Sequence, residues 1–337
     1  MSRVDKEIIP SYEIVGVNIC YNFLMLAIIS NLFLLAIALF LVIKSADFAI
    51  VYSTRLAKGF HLPTYVIGFI IVAIISILPE TFIATSSALD GIPAFGLGTL
   101  FGSNVADLTL VFALVILISG RNLKVESKFI KQSIFYILII LIPLIFGLNG
   151  YYSRVEGAAL IMVGLLFYLF VFKNNRLKGV EIKKEPLSFR NLPLLLISMA
   201  VLLFGAQWTV YFGVSLSELL QINPALVGML IVGLGTTIPE LLFSVRAAKS
   251  KYDSLALGDI LGTVIADATI VVGVVAMISP FQFDQRIVFL TGSFMLMAII
   301  ILIYLLKTGK VLTKREALAL IIFYLLFVLT ELRFSFY

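Results

Sequence analysis

Long apolar stretches separated by short polar loops set the pattern of this chain. Continuous apolar segments fall at 31–57, 64–88, 97–119, 128–148, 155–173, 191–218, 224–246, 256–279, 287–306 and 315–332. Each is about 20 residues long, enough for a helix to cross roughly 30 Å of hydrocarbon, and none shows the alternation over about 10 residues of an outer-membrane strand. The pattern predicts an all-α integral membrane protein with ten transmembrane helices. Residues 14–29 are apolar too, and no polar loop divides them from 31–57. They are therefore an N-terminal extension of the first helix or an eleventh helix.

The chain repeats itself. Pro79 and Glu80 recur 160 positions later as Pro239 and Glu240, and the same offset pairs Gly68 with Gly228, Gly98 with Gly258, Gly102 with Gly262 and Asp107 with Asp267. It also aligns NLFLLAIALFLV from Asn31 with NLPLLLISMAVL from Asn191. The expected division is an extension or extra helix over 1–30, a first five-helix repeat over 31–173, a linker over 174–190 and a second five-helix repeat over 191–337. An odd number of helices sends the second repeat into the membrane from the opposite side, which makes the two an inverted pair of the kind that builds secondary transporters.

Charge supports this topology. Arg55, Lys58, Arg121, Lys124, Lys128, Lys131, the cluster Lys173 to Arg190, Arg246, Lys249, Lys251, Lys307, Lys310, Lys314 and Arg315 fall on one side, whereas Arg154, Arg286 and Arg333 fall on the other. The positive-inside rule makes the first side cytoplasmic, linker included. Arg3 and Lys6 would lie outside with ten helices and inside with eleven. The linker reads as a tether carrying topogenic charge, and the polar opening MSRVDKEIIPSYE does not resemble a cleavable signal peptide.

Composition narrows the class further. At 61% hydrophobic and 13% charged residues, with a mean hydropathy of +1.12, the chain is excluded from ordinary soluble domains. A net charge of +6 would suggest nucleic acid in a soluble protein, but here the basic residues lie between apolar segments and report topology. One cysteine, Cys20, and one histidine, His61, exclude an internal disulfide and a His/Cys metal cluster. The expected partners are inorganic cations and the lipid bilayer; no cofactor beyond transported ions is expected, and the oligomeric state is left open.

The candidate chemistry lies where carboxylates interrupt the apolar runs. Proline removes a backbone donor, so in ISILPETFIATS and GLGTTIPELLFS carbonyls near Ser76 and Thr236 are freed beside Glu80 and Glu240. A small-residue helix follows each: LGTLFGSNVAD aligns Thr99, Ser103 and Asp107, and LGDILGTVIAD aligns Asp259, Thr263 and Asp267, at spacings of four. The pairs Gly98/Gly102 and Gly258/Gly262 have the GxxxG spacing that lets a neighbouring helix approach. Oxygen donors around Glu80, Asp107, Glu240 and Asp267 suit hard cations, with no lysine or arginine in either motif to favour an anion. Carboxylates this close share protons when empty, so protons compete with metal. Asp259, with Thr99 as its counterpart, reads equally as ligand and as cavity lining. Asn104 points away from the stripe, and Lys44 and Asp47 form a local salt bridge.

These residues resemble the calcium/cation antiporter superfamily, which includes the sodium/calcium exchangers. GTTIPELLFSVRAAK and ALGDILGTVIAD are similar to its pattern G-T-S-x-P-E followed by G-N-x-x-G-S-x-x-x-N/D. The resemblance implies that Glu240 is a ligand shared by Ca²⁺ and Na⁺, that Asp267 is a second acidic ligand, and that Thr236, Thr237 and Thr263 donate oxygen. In the first repeat Glu80, Ser103 and Asp107 stand on family positions and Ser76 replaces the threonine. Ile77 occupies the next serine position, Ile75 the glycine, and Asp107 and Asp259 stand where asparagine is common. The implied function is secondary active antiport of Ca²⁺ against Na⁺ by alternating access at a midplane site in a cell membrane. A Ca²⁺ or other divalent cation/H⁺ exchanger is the alternative, favoured by Ile77 and the surplus aspartates. An intramembrane aspartyl protease is a remote one: its G-x-G-D is not met, since Ala256 precedes Leu257, Gly258 and Asp259, and Asp253 falls in a loop. A membrane scaffold without transport completes the alternatives.

Overall fold

The computed structural model describes residues 11–59, 77–124, 127–174, 191–249, 253–309 and 311–335. Its helices are α1 (Ser11–Gly59), α2 (Leu78–Leu89), α3 (Pro93–Ser119), α4 (Ser127–Phe146) and α5 (Arg154–Asn174) in the first half. The second half has α6 (Asn191–Leu220), α7 (Pro224–Lys249), α8 (Asp253–Ala266 continued by Asp267–Val271 and Val272–Ile278), α9 (Ile287–Gly309) and α10 (Lys314–Ser335). Among the described residues seven of these are long and apolar enough to cross a membrane.

Of the two N-terminal alternatives, an extension or an extra helix, the described helix has the form of an extension. Residues 14–29 continue into 31–57 as one helix of 49 residues, about 75 Å at 1.5 Å per residue and so longer than one span needs. No proline or glycine lies between Val17 and Lys58 to break it. The polar pair Ser30 and Asn31 is absorbed because both side chains donate back to the Ala27 carbonyl at 2.9 Å. Lys44 and Asp47 form the expected local pair at 3.3 Å. Most of the expected span 64–88, including Gly68, Ile75 and Ser76, lies outside the described residues.

The 160-residue offset reappears in the helix boundaries. Leu78–Leu89 matches Ile238–Lys249, Pro93–Ala106 matches Asp253–Ala266, and a π-helical turn begins at both Asp107 and Asp267. The two halves also interlock at their loops. Strand β1 (Leu123–Lys124) pairs antiparallel with β4 (Val311–Leu312), and β2 (Tyr151–Tyr152) pairs with β3 (Phe281–Gln282). Gly120, at a φ of 71°, ends α3 in the left-handed region and releases the chain into β1.

Burial sorts the helices into a centre and a rim. In α3 and α8 78% of the spanning window is buried inside the protein, against 22% in α1, 33% in α6 and 28% in α10. The duplicated acidic helices are therefore the centre, and α1 and α6 present apolar side chains such as Phe40 and Phe204 outward. Leu35 and Val42 of α1 pack with Ala206 and Val210 of α6, and this pair reaches the centre through Phe95 and Val232.

An ion pair joins the halves at one face. Arg121, just after α3, donates to both carboxylate oxygens of Asp253 and to the Ala248 carbonyl, while the Lys124 amide donates to Asp253 at 2.8 Å. Asp253 is thus the first residue of α8 and not a loop residue, because its carboxylate is fixed by a partner 132 residues away. That anchor holds the Arg121 guanidinium above its ordinary pKa, chiefly through the Asp253 hydrogen bond.

Candidate cation site

Both Pro-Glu motifs place their carboxylate in the first turn of a helix, at the positive end of its dipole. In α7 the helix runs regularly over Gly233–Thr236, breaks at Thr237 and resumes at Ile238. Pro239 has no N–H to offer the Gly235 carbonyl one turn back. The residues before Ile77, where an equivalent break is expected ahead of Pro79, lie outside the described residues; the Ile77 carbonyl takes both the Thr81 amide and its hydroxyl.

Against these breaks stand α3 and α8, each widened by a π-helical turn at Asp107–Val111 and Asp267–Val271. Thr109 and Thr269, both fully buried, donate their hydroxyls to the carbonyls of Val105 and Ile265 within those turns. Glycine brings the elements together. A β-carbon at Gly98 would lie 2.5 Å from the Ala225 carbonyl oxygen, and one at Gly102 2.5 Å from that of Met229. Gly233 returns the approach, lying against the Ser103 amide and the Thr99 carbonyl.

Glu80, Asp107, Glu240 and Asp267 are at most 4% exposed. Among the described residues each keeps at least one carboxylate oxygen without a hydrogen-bond partner, and Asp267 keeps two. Leaving such a group buried and unsatisfied costs several kcal/mol if it is charged. The electrostatic contacts among the described residues join these acids to one another. Asp107 lies in range of Glu80 and Asp259, Glu240 of Glu80, Asp107 and Asp259, and Asp267 of Glu80 and Asp107. The two halves therefore contribute carboxylates to one cluster.

Among the described residues no three of these acids converge tightly enough to hold a metal ion as they stand. A cation there must draw the carboxylates inward or complete its shell with hydroxyls, carbonyls and water.

The hydroxyls are placed to help. Thr99, Ser103, Thr236 and Thr237 donate to carbonyls of their own helix at 2.9 to 3.1 Å, which leaves their lone pairs free to face a cation. Thr236 also lies in hydrogen-bonding reach of Glu80, across the two repeats. Thr263 is buried in line with Asp267, and Ser76 is outside the described residues.

Several residues carry no mark in the motif. Ser244 meets Asp259 at 3.3 Å, and Tyr168 of α5 donates to the Gly262 carbonyl at 2.8 Å. Asn104 is wholly buried and its amide has no partner among the described residues. Thr109 and Thr269 were legible only as members of the 160-residue repeat. A separate small cavity lies at the start of α7 between Asn223, Met229, Arg286, Thr291 and Glu331. There the Thr291 hydroxyl donates to Glu331 at 2.6 Å.

Buried acids from two duplicated halves, set inside a bundle of membrane-length helices, define a membrane protein that handles cations. The family model described as sodium/calcium exchanger protein matches residues 30–173 and 191–333, and the chain belongs to that family. It is an exchanger and not an enzyme, which removes the aspartyl protease alternative. An uncharacterised membrane protein of Methanocaldococcus jannaschii is 28% identical, the match covering 77% of this chain and 86% of that one. A sodium/calcium exchanger of Methanosarcina acetivorans is 23% identical over 88% of this chain and 97% of its own. The sodium-calcium exchanger NCX_Mj, soaked with Na⁺ and Sr²⁺, shares the fold with a TM-score of 0.61 and 23% identity, over 89% of this chain and 98% of that chain.

Proposed function

We propose that this protein exchanges Ca²⁺ for Na⁺ across a cell membrane by alternating access. Ten helices would form two inverted five-helix repeats that rock about a midplane site. The observation that carries this reading is the set of buried oxygens on Glu80, Asp107, Glu240 and Asp267 that have no hydrogen-bond partner among the described residues. These four are the proposed metal ligands, with Ser76, Ser103, Thr236, Thr237 and Thr263 as further oxygen donors and Thr99 beside them. The name of the Methanosarcina relative supports the choice of ions.

The mechanism follows from charge. Four carboxylates cannot be buried together and ionised without a counter-charge, because each unpaired charge costs several kcal/mol. An empty site therefore cannot close, whereas Ca²⁺, Na⁺ or protons neutralise it and let the repeats move. That requirement makes the protein an exchanger and not a uniporter. With Arg121, Lys124, Lys249 and the 174–190 linker on the cytoplasmic side, the basic loops fit the positive-inside rule.

A second reading, divalent cation/H⁺ exchange, is favoured by one observation. Ile77 is 6% exposed beside Glu80 and has no side-chain oxygen for Na⁺, whereas Asp107 adds a protonatable group. Radioactive Ca²⁺ uptake into proteoliposomes separates the two. An outward Na⁺ gradient drives uptake in the first; in the second it does nothing and a pH gradient drives it.

A further inference from the structure

The turn of α7 that packs on Gly102 is held from its other side as well. Met229 is buried and lies in a π-helical turn, Gly228–Val232. Its carbonyl oxygen and Cα face α3 at Gly102, while its sulfur lies 3.5 Å from the Thr291 hydroxyl of α9. Thr291 is itself fully buried in a second π-helical turn, Ile287–Gly292. Such turns are rare within helices and gather at functional sites.

A hydroxyl has one proton to give. At 2.6 Å the Thr291 proton goes to the Glu331 carboxylate of α10, a far better acceptor than a thioether, so Met229 rests against an oxygen whose direction Glu331 fixes. The link continues into the cation site. Four residues beyond Met229, Gly233 lies against the Ser103 amide and the Thr99 carbonyl. Seven residues beyond it, about 10 Å along the helix, Thr236 lies in hydrogen-bonding reach of Glu80.

Glu331 serves this link as an acceptor and not as a charge. The Arg286 guanidinium stands 3.8 Å from its carboxylate and is 32% exposed, and an ion pair of that length and exposure contributes little. Arg286 also donates to the Glu331 backbone carbonyl at 3.3 Å, a bond that does not depend on the side chain. The repeat offset puts Phe69, Lys131 and Val171 at the positions of Met229, Thr291 and Glu331. A valine stands where the acceptor would be, so the link is no part of the duplication.

We infer that Glu331 is a positioning residue for the cation site: through Thr291 and Met229 it holds the stretch Pro224–Thr236 of α7 against α3, and so keeps the Thr236 oxygen in place beside Glu80. This inference rests on the antiport reading, in which these oxygens meet the cation, and adds a residue outside both motifs on which that meeting depends.

Ca²⁺ binding to the purified protein by calorimetry tests it, because affinity and number of sites are read separately. Thr291→Val removes the hydroxyl at nearly constant shape, Glu331→Met removes the acceptor at nearly constant length, and Thr291→Ser and Glu331→Gln keep the bond. Thr291→Val and Glu331→Met are expected to raise the dissociation constant about three- to tenfold, the scale of one buried hydrogen bond, with the number of sites unchanged. Thr291→Ser and Glu331→Gln are expected to stay within about twofold of wild type. A residue that only supports folding would lower the number of sites and leave the affinity of the folded fraction as it was. That pattern, wild-type affinity in Thr291→Val and Glu331→Met, failure of both to fold, or an equal loss of affinity in Glu331→Gln overturns the inference, while Ca²⁺ binding by wild type upholds the cation site. Where Thr291→Val alone does not fold, Glu331→Met decides. A wild type that binds no Ca²⁺ overturns both.

Discussion

Replacing Gly102 with alanine tests whether the close approach of α3 and α7 holds the site together. A β-carbon there would sit 2.5 Å from the Met229 carbonyl oxygen, 2.6 Å from its Cγ and 2.7 Å from its Cα. The side-chain carbon can swing away, but the two backbone atoms cannot. Restoring ordinary contact separates the helices by about 1 Å, and overpacking of this kind costs about 1–3 kcal/mol. The same movement lifts α7 from the Thr99 and Ser103 stripe, so weaker Ca²⁺ binding accompanies the lost stability. Gly102→Val is the graded comparison: its extra methyl groups meet the same backbone atoms and deepen the overpacking. Thermal unfolding of the purified protein in detergent, followed through Trp208, reads stability, and Ca²⁺ titration reads the site. Gly102→Ala is expected to melt earlier than wild type and Gly102→Val earlier still. Wild-type melting of Gly102→Ala would refute the argument from close approach.

Further substitutions separate the parts of the site. Asp107→Asn is expected to retain Ca²⁺ transport while weakening its inhibition by protons, read as uptake at graded pH. Ile77→Ser adds the missing oxygen beside Glu80 and is expected to steepen the dependence of Ca²⁺ uptake on the Na⁺ gradient. Arg121→Ala removes the anchor from Asp253, which is 7% exposed, and is expected to cost about 2 kcal/mol of stability, the scale of a hydrogen bond to a charged group; denaturant unfolding measures it.

Much of this architecture could be read from the chain because it is written twice. Pro239/Glu240 located the break in α7 and Pro79/Glu80 the start of α2, and the spacing of Asp107 and Asp267 located the stripes that burial then placed at the centre. What escaped reading has physical reasons. The π-helical turns at Asp107 and Asp267 need one additional residue in a turn and leave no mark in composition. The continuity of α1 was ambiguous because an apolar run without proline can be one helix or two. The Arg121–Asp253 anchor joins residues 132 positions apart, which no local pattern reveals. The approach of Gly98 and Gly102 to α7 is tertiary, and the glycine spacing alone names no neighbour.

The central claim is that the buried carboxylates form a cation site, and Ca²⁺ binding to the purified protein by calorimetry tests it most directly. Glu240→Gln keeps the shape of the side chain and removes one of the proposed ligands. Glu331→Gln neutralises another buried acid, bonded to Thr291 and lying in the separate cavity at the start of α7. Wild type and Glu331→Gln are expected to bind Ca²⁺ alike, with Glu240→Gln weaker by at least about 100-fold, the scale of a buried charged ligand worth roughly 3 kcal/mol. Ca²⁺ binding by Glu240→Gln at wild-type strength, or no Ca²⁺ binding by wild type, would contradict the account.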